Sequence, residues 1–353
     1  MPSSRSDAAA ASATYFDAAA GLPRHPAATE AMLAATEEGW ADPSRLTGPG
    51  RRSALLLNAA REAVADTLAV RPDEVSFVPS GSHALHLAVL GSVAGRARFG
   101  DRLVHSAVEH SAVFKAADWH SDHGGTVEVI GVDETGRVDV DLFVRAASGQ
   151  TSGRPAAAAV LQAANHEVGT RQPVAEVADL LADTGVPLVV DAGHALLYDD
   201  PSSLAQVPVF TADARLWGGP AGVGVLVVRG GVRWRSPFPA DEAEFGRSPG
   251  VPSVPAIVGA AAALRAFRVR RVAEAARLAA LVNQVRERVP TAVPDSVVLG
   301  DPSNRLPHLV TFSCLYVDGE ALLTALDRHD FAVSSGSSCT SDTLTPSHVL
   351  VAM

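Results

Sequence analysis

The sequence predicts an α/β fold, a mainly parallel sheet with helices on both faces. Three observations carry that expectation. From residue 74 onward, short apolar segments alternate with longer ones of helical periodicity, the order that builds βαβ units. Two short segments, 157–162 and 187–191, are apolar almost throughout, as strands covered on both faces are. Ser82, His166, Asp191 and Arg215 each follow an expected strand, and ligands of such sheets bind beyond the carboxyl ends of the strands.

In chain order, residues 26–38 and 51–69 carry apolar side chains at helical spacing and are expected as helices. Strand 74–78, a turn at 79–81 and a helix at 82–93 make the first unit. Strands 103–105 and 126–130 flank a helix from about residue 109. A turn at 133–136 leads into a short helix, 140–147. Strand 157–162 precedes helix 174–184, and strand 187–191 follows it. The stretch 211–224, TADARLWGGPAGVG, lies between expected strands 207–210 and 223–229. A long helix, 254–289, leads to a smaller lobe with strand 309–317, helix 320–328 and a loop at 334–342. A last helix is expected with Thr345 as N-cap and Pro346 at its first position. The expected organisation is a disordered Ala/Ser-rich tail (1–14), a large sheet domain (15–250) and a small C-terminal lobe (251–353).

Composition removes several functions. A net charge of −10 argues against a sequence-independent nucleic-acid binder, which needs a basic face. No apolar run reaches the roughly 18 residues of a membrane span, and the N-terminus lacks the order of a signal peptide. Two cysteines, Cys314 and Cys339, make no disulfide framework, so a cytoplasmic setting is expected. Cys314 is expected as a small, shielded core residue of its strand. The chain has one lysine, Lys115.

The 211–224 stretch resembles the cofactor-anchoring segment of the cysteine desulfurases, a group of class V aminotransferases. Gly218, Gly219, Pro220, Gly222, Val223 and Gly224 fit its frame. YFDAAAGLP, FVPSGSHALHLAV, SAVEHSAVFKAADW, VDETGRVD, ANHEVGTRQP, VVDAGHA, RSPGVPSVPAIVG and VSSGSSCTSDTLTPSHVL follow in the family's order. The resemblance covers residues 15–353. It implies the fold type I architecture of pyridoxal phosphate (PLP) enzymes.

It also implies roles. Asp191 falls where the family pairs a carboxylate with the PLP pyridine nitrogen, which makes the ring an electron sink. His110 falls at the ring-stacking histidine, and Ser82 at a phosphate-binding position on a helix N-terminus. Cys339, within SSGSSCTS, matches the persulfide-forming cysteine, and its small polar neighbours imply an accessible thiol. Other positions depart from the family. Leu216 stands at the Schiff-base lysine, Arg215 at the histidine before it, and Asp213 at a phosphate-binding serine. His166 and His194 replace amides that contact the ring hydroxyl, and Val251 replaces a threonine given across the dimer to the phosphate. The family's substrate-carboxylate arginine lies beyond Met353, so the small lobe reads as truncated relative to the family.

Lys115 lies five residues past His110, on a helix that turns it away, so it is not expected to replace the missing lysine. Without a lysine, PLP has no covalent anchor and the α-proton no base, so no covalently bound cofactor and no normal turnover are expected. Four functions remain in view. One is sulfur handling through Cys339 without PLP turnover. A second is a non-catalytic partner, as a homodimer or a heterodimer with a paralogue; a sulfur-carrier protein is a further expected partner. A third is a retooled pocket, in which His110, His166, His194 and Asp191, with His83 nearby, could ligate a metal. The fourth is an active PLP-dependent desulfurase.

Overall fold

The computed structural model describes residues 14–335 and 347–353. Strand β1 (Thr14–Tyr15) opens it, so Thr14, expected in the tail, is already paired. Helices α1 (Pro26–Glu38) and α2 (Gly48–Leu68) follow. The α2 start is set by Thr47, whose hydroxyl accepts from Gly50 N–H at 3.3 Å; it stops at Ala69 in a left-handed conformation.

The sheet then builds through β2 (Val75–Val78), α3 (Gly81–Gly95), β3 (Arg102–Ser106), α4 (Ser111–Asp122), β4 (Thr126–Ile130), α5 (Val140–Ser148), β5 (Ala158–Val160), α6 (Val174–Leu181), β6 (Leu188–Asp191), β7 (Val209–Asp213) and β8 (Gly224–Val228). Its seven strands lie in the order β2-β8-β7-β6-β5-β3-β4. Only β8 runs against the others. That reversal follows from the tight turn 214–223, which leaves no room for a crossover helix.

Successive residues of one strand serve opposite faces. Val189, Val209 and Leu226 join the α3 and α4 side of the core. Val190, Phe210 and Val227 join the larger cluster beneath α1, α2, α5, α6 and α7 (Val254–Ala292). Both faces are therefore dry, and each such side chain contributes about 1.5–3 kcal/mol on burial. The first third of α7 is part of that core, from Val254 to Leu264, whereas most of its remainder is exposed. Gly259 permits the close approach: a Cβ there would stand 2.3 Å from Met32 Cγ of α1.

After α7 come β9 (Ser296–Val298), β10 (Phe312–Cys314), α8 (Gly319–Asp327), β11 (Phe331–Ala332) and α9 (His348–Ala352). Three expectations change here. The 309–317 strand shrinks to a three-residue partner of β9, because Tyr316 turns left-handed with φ 62°. Cys314 is not a shielded core residue: it is half-buried, and neighbouring Leu315 and Tyr316 are 58% and 93% exposed. The described last helix begins at His348 with Ser347 as its cap, accepting from Val349 N–H at 3.1 Å; Thr345 and Pro346 lie outside the described residues. Among the described residues no helix is long and apolar enough to cross a membrane.

Candidate functional site

The expected residues gather at the carboxyl ends of the parallel strands. Asp191 ends β6, and its Oδ1 accepts from Gly193 N–H at 3.1 Å, closing the turn that delivers His194. His110 caps α4 by accepting Ala112 N–H on Nδ1 at 3.1 Å. His166 lies in the loop after β5, held by Asn165, whose Oδ1 accepts from Glu167 and Val168 N–H, both at 2.8 Å. The His110 and His166 rings meet edge to face with centroids 5.2 Å apart. Leu216 is buried in the 3₁₀ turn Ala214–Trp217. It reaches Gly193: a Cβ on that glycine would lie 2.9 Å from Leu216 Cδ1 and 3.3 Å from Asp191 Oδ1. Trp217 fixes this turn on α7 by donating Nε1–H to Ala260 O at 3.0 Å.

Ser82 lies at the N-terminus of α3, as expected, one residue inside its start at Gly81. The helix cap is Ser80, which accepts from His83 N–H at 3.1 Å, while Ser82 is an exposed residue of the first turn. Gly81 N–H donates to Asp213 Oδ2 at 3.1 Å. The carboxylate therefore holds the place a helix N-terminus offers to an anion. Arg215 balances it, with Nη2 3.1 Å from Asp213 Oδ2. A Cβ on Gly81 would come within 2.6 Å of Asp213 Cβ, so this contact requires glycine. Val251 is exposed.

Burial favours the neutral form of two of the pocket's imidazoles, His166 and His194. It lowers the His194 pKa to about 4, with Asp191 opposing, and drives His166 well below its ordinary value with the help of neighbouring histidines. His83 is also lowered by burial. Nδ1 of His166 and of His194 has no hydrogen-bond partner among the described residues. No three His, Cys, Asp or Glu among those residues stand together where they could hold a metal ion, so His110, His166, His194 and Asp191 do not form one ligand set.

Further groups belong to the cluster that the sequence reasoning left out. Glu109 is buried beneath the site, and burial raises its pKa to about 8 although Ser106 Oγ and Gln162 N–H donate to it at 2.5 and 3.0 Å. Glu167 rises to about 7 by burial while Ser347 Oγ donates to it at 2.5 Å. His348 Nε2 lies 2.8 Å from Glu109 O, and His308 stacks on His194 with centroids 6.1 Å apart. Glu109 and Glu167 stand directly beside His110 and His166 in the chain, which was the available signal.

The residues present do not fit a covalently held PLP. An aldehyde needs an amine, and Leu216 offers none. Lys115 faces solvent on α4, its side chain 74% exposed and its Nζ 3.3 Å from Asp118 Oδ2. Asp213 would meet a phosphate with like charge. Cys339 lies outside the described residues.

Residues 14–353 match the aminotransferase class-V family model. The chain is 31% identical over 327 residues to the cysteine desulfurase NifS of Azotobacter vinelandii, covering 92% of this chain and 80% of that one. It is 33% identical over 348 residues to a cysteine desulfurase of Gluconacetobacter diazotrophicus, covering 97% and 84%. Among solved structures, a NifS-like protein superposes with a TM-score of 0.85 at 25% identity, over 96% of this chain and 89% of that one. DndA from Streptomyces lividans superposes with a TM-score of 0.78 at 26% identity, over 96% and 95%. The chain belongs to the class V aminotransferase family, has its PLP fold type I architecture and is cysteine desulfurase-like.

Proposed function

We propose that this cysteine desulfurase-like chain handles sulfur through Cys339, in the cytoplasm, and does not carry out lysine-anchored PLP turnover. The observation that supports the proposal most is Leu216, buried against the Asp191–Gly193 turn where the family frame places its lysine. Asp213 on the α3 N-terminus supports it independently, because a fixed carboxylate competes with the cofactor phosphate. The remaining family positions (Ser82, His110, His166, Asp191, His194 and Arg215) would then line a histidine-rich pocket rather than a Schiff-base site.

In the proposed transfer, the Cys339 thiolate attacks the terminal sulfur of a persulfide on an active desulfurase. The new S–S bond forms as the donor's S–S bond breaks, and the donor leaves as a thiolate. No net oxidation occurs.

The test uses a persulfide-loaded, active cysteine desulfurase as donor and mass analysis of this chain. Transfer of one sulfur to Cys339, lost in Cys339→Ser, is expected. Equal transfer to the Ser variant, or labelling confined to Cys314, would overturn the proposal.

A second function, a dimer partner, is favoured by one observation. Leu33, Trp40, Leu46 and Leu55, in and between α1 and α2, are 68%, 69%, 87% and 70% exposed. Large exposed apolar groups mark interaction surfaces. Sedimentation of the purified chain, alone and with an active paralogue, distinguishes a homodimer from a heterodimer.

A further inference from the structure

At the opposite end of the sheet lies a cavity of about 760 Å³. It sits below the amino ends of β5, β6 and β7, where Pro155, Pro187 and Pro208 line it, and beside Gly230 past the end of antiparallel β8. It shares no residue with the pocket of histidines. Its size is that of a site for one small molecule.

Two guanidiniums line it. Arg96, which follows α3, is only 7% exposed. Its Nη1 donates to Gly185 O, but its Nε has no partner among the described residues. Arg96 Cζ lies 5.0 Å from the centroid of Phe99, and Arg233 Cζ lies 4.5 Å from the same centroid. Burial and the like charge of Arg233 lower the Arg96 pKa, and no carboxylate offsets them. Asp183 also lines the cavity yet forms no ion pair with either arginine among the described residues.

A buried cation without an anion is costly, and the face of one aromatic ring attracts two cations without neutralising them. An oxyanion between the guanidiniums removes that cost, because the arginine fork matches carboxylate and phosphate oxygens. Leu188 and Val232 supply apolar wall beside Phe99. We propose that this cavity binds a small organic phosphate or carboxylate, its oxyanion held between the Arg96 and Arg233 guanidiniums and its apolar body packed on Phe99, Leu188 and Val232.

The test is calorimetric titration of the full chain, at constant ionic strength, with phenyl phosphate, benzoate and inorganic phosphate. Saturable binding of phenyl phosphate or benzoate at one site per chain is expected, and which binds tighter separates phosphate from carboxylate chemistry. Each should bind at least about tenfold more tightly than inorganic phosphate, because only they carry a body for the apolar wall. Arg233→Gln should weaken binding about tenfold or more while leaving the melting curve of the free protein in place. Arg96→Lys, which keeps the charge and loses the fork, should weaken it as well. Absence of saturation by both organic probes at about 10 mM overturns the proposal, since weaker binding has no selectivity. Unchanged affinity in Arg233→Gln also overturns it. So does binding of an acidic peptide with no response to either small probe, which would make the arginines a protein-docking surface instead.

Discussion

At the carboxyl ends of β5, β6 and β7 burial favours the uncharged forms of His166, His194, Glu109 and Glu167, whereas at the amino ends a buried guanidinium keeps its charge. Burial pushes His166 and His194 down and Glu109 and Glu167 up, each toward its uncharged form. Arg96 cannot respond in this way, because a guanidinium stays protonated whatever its surroundings. Histidines and acids can occupy a dry pocket with few partners. An arginine in the same situation signals an anion.

Breaking the carboxyl end at its support gives the largest effect. Trp217→Ala removes a side chain that is 1% exposed and its bond to Ala260 O, and releases the Leu216 turn. It should cost about 3–5 kcal/mol in urea unfolding. At the amino end, exchanging Arg233 for Gln should stay within about 0.5 kcal/mol.

The pH dependence of stability sharpens the contrast. Glu109 titrates near 4.5 when unfolded and about 8 when folded. The folded state therefore holds the extra proton in that window, and the contribution is complete below 4.5 and lost as pH rises through about 8. Glu167 acts with the same sign up to about 7. His194 and His308 run the other way: their folded values, about 4 and about 3, lie below the ordinary 6.5, so stability falls as pH drops beneath 6.5. Above pH 6.5 the two acids alone tilt the curve downward. Glu109→Gln should flatten that alkaline limb in melts between pH 6.5 and 8; an unchanged limb would show that Glu109 is ionised throughout.

A smaller effect is expected at the α3 N-terminus. Asp213→Asn keeps the shape, removes the charge and should cost about 0.5–1 kcal/mol. It should also let phosphate stabilise the protein more than it stabilises the parent. Identical phosphate responses would mean that Asp213 does not control this terminus.

The sheet was legible because its strands are apolar on both faces and punctuated by turn residues. Segment 157–162 overran its strand, since Gln162 N–H leaves the ladder to donate to Glu109. The cap of α3, Ser80, carried no signal in the sequence spacing. Nor did spacing show that Asp213, distant in sequence, takes the Gly81 N–H of this helix start. The residues around Leu216 were legible through the Gly-Gly-Pro frame, which fixes local geometry. Glu109, His308 and the cavity of Arg96 and Arg233 were not, because each owes its character to burial and to partners from other elements. Periodicity reports which face is apolar, but not which polar group is trapped beneath it.

The central claim is that this pocket has no lysine anchor for PLP. The direct measurement is borohydride reduction of the native protein with stoichiometric PLP, followed by peptide mass analysis and an absorbance spectrum before reduction. The account predicts no specific pyridoxyl adduct at Lys115, the single lysine, and no protonated-aldimine band near the visible edge. A stoichiometric adduct at Lys115 accompanied by that band would contradict it.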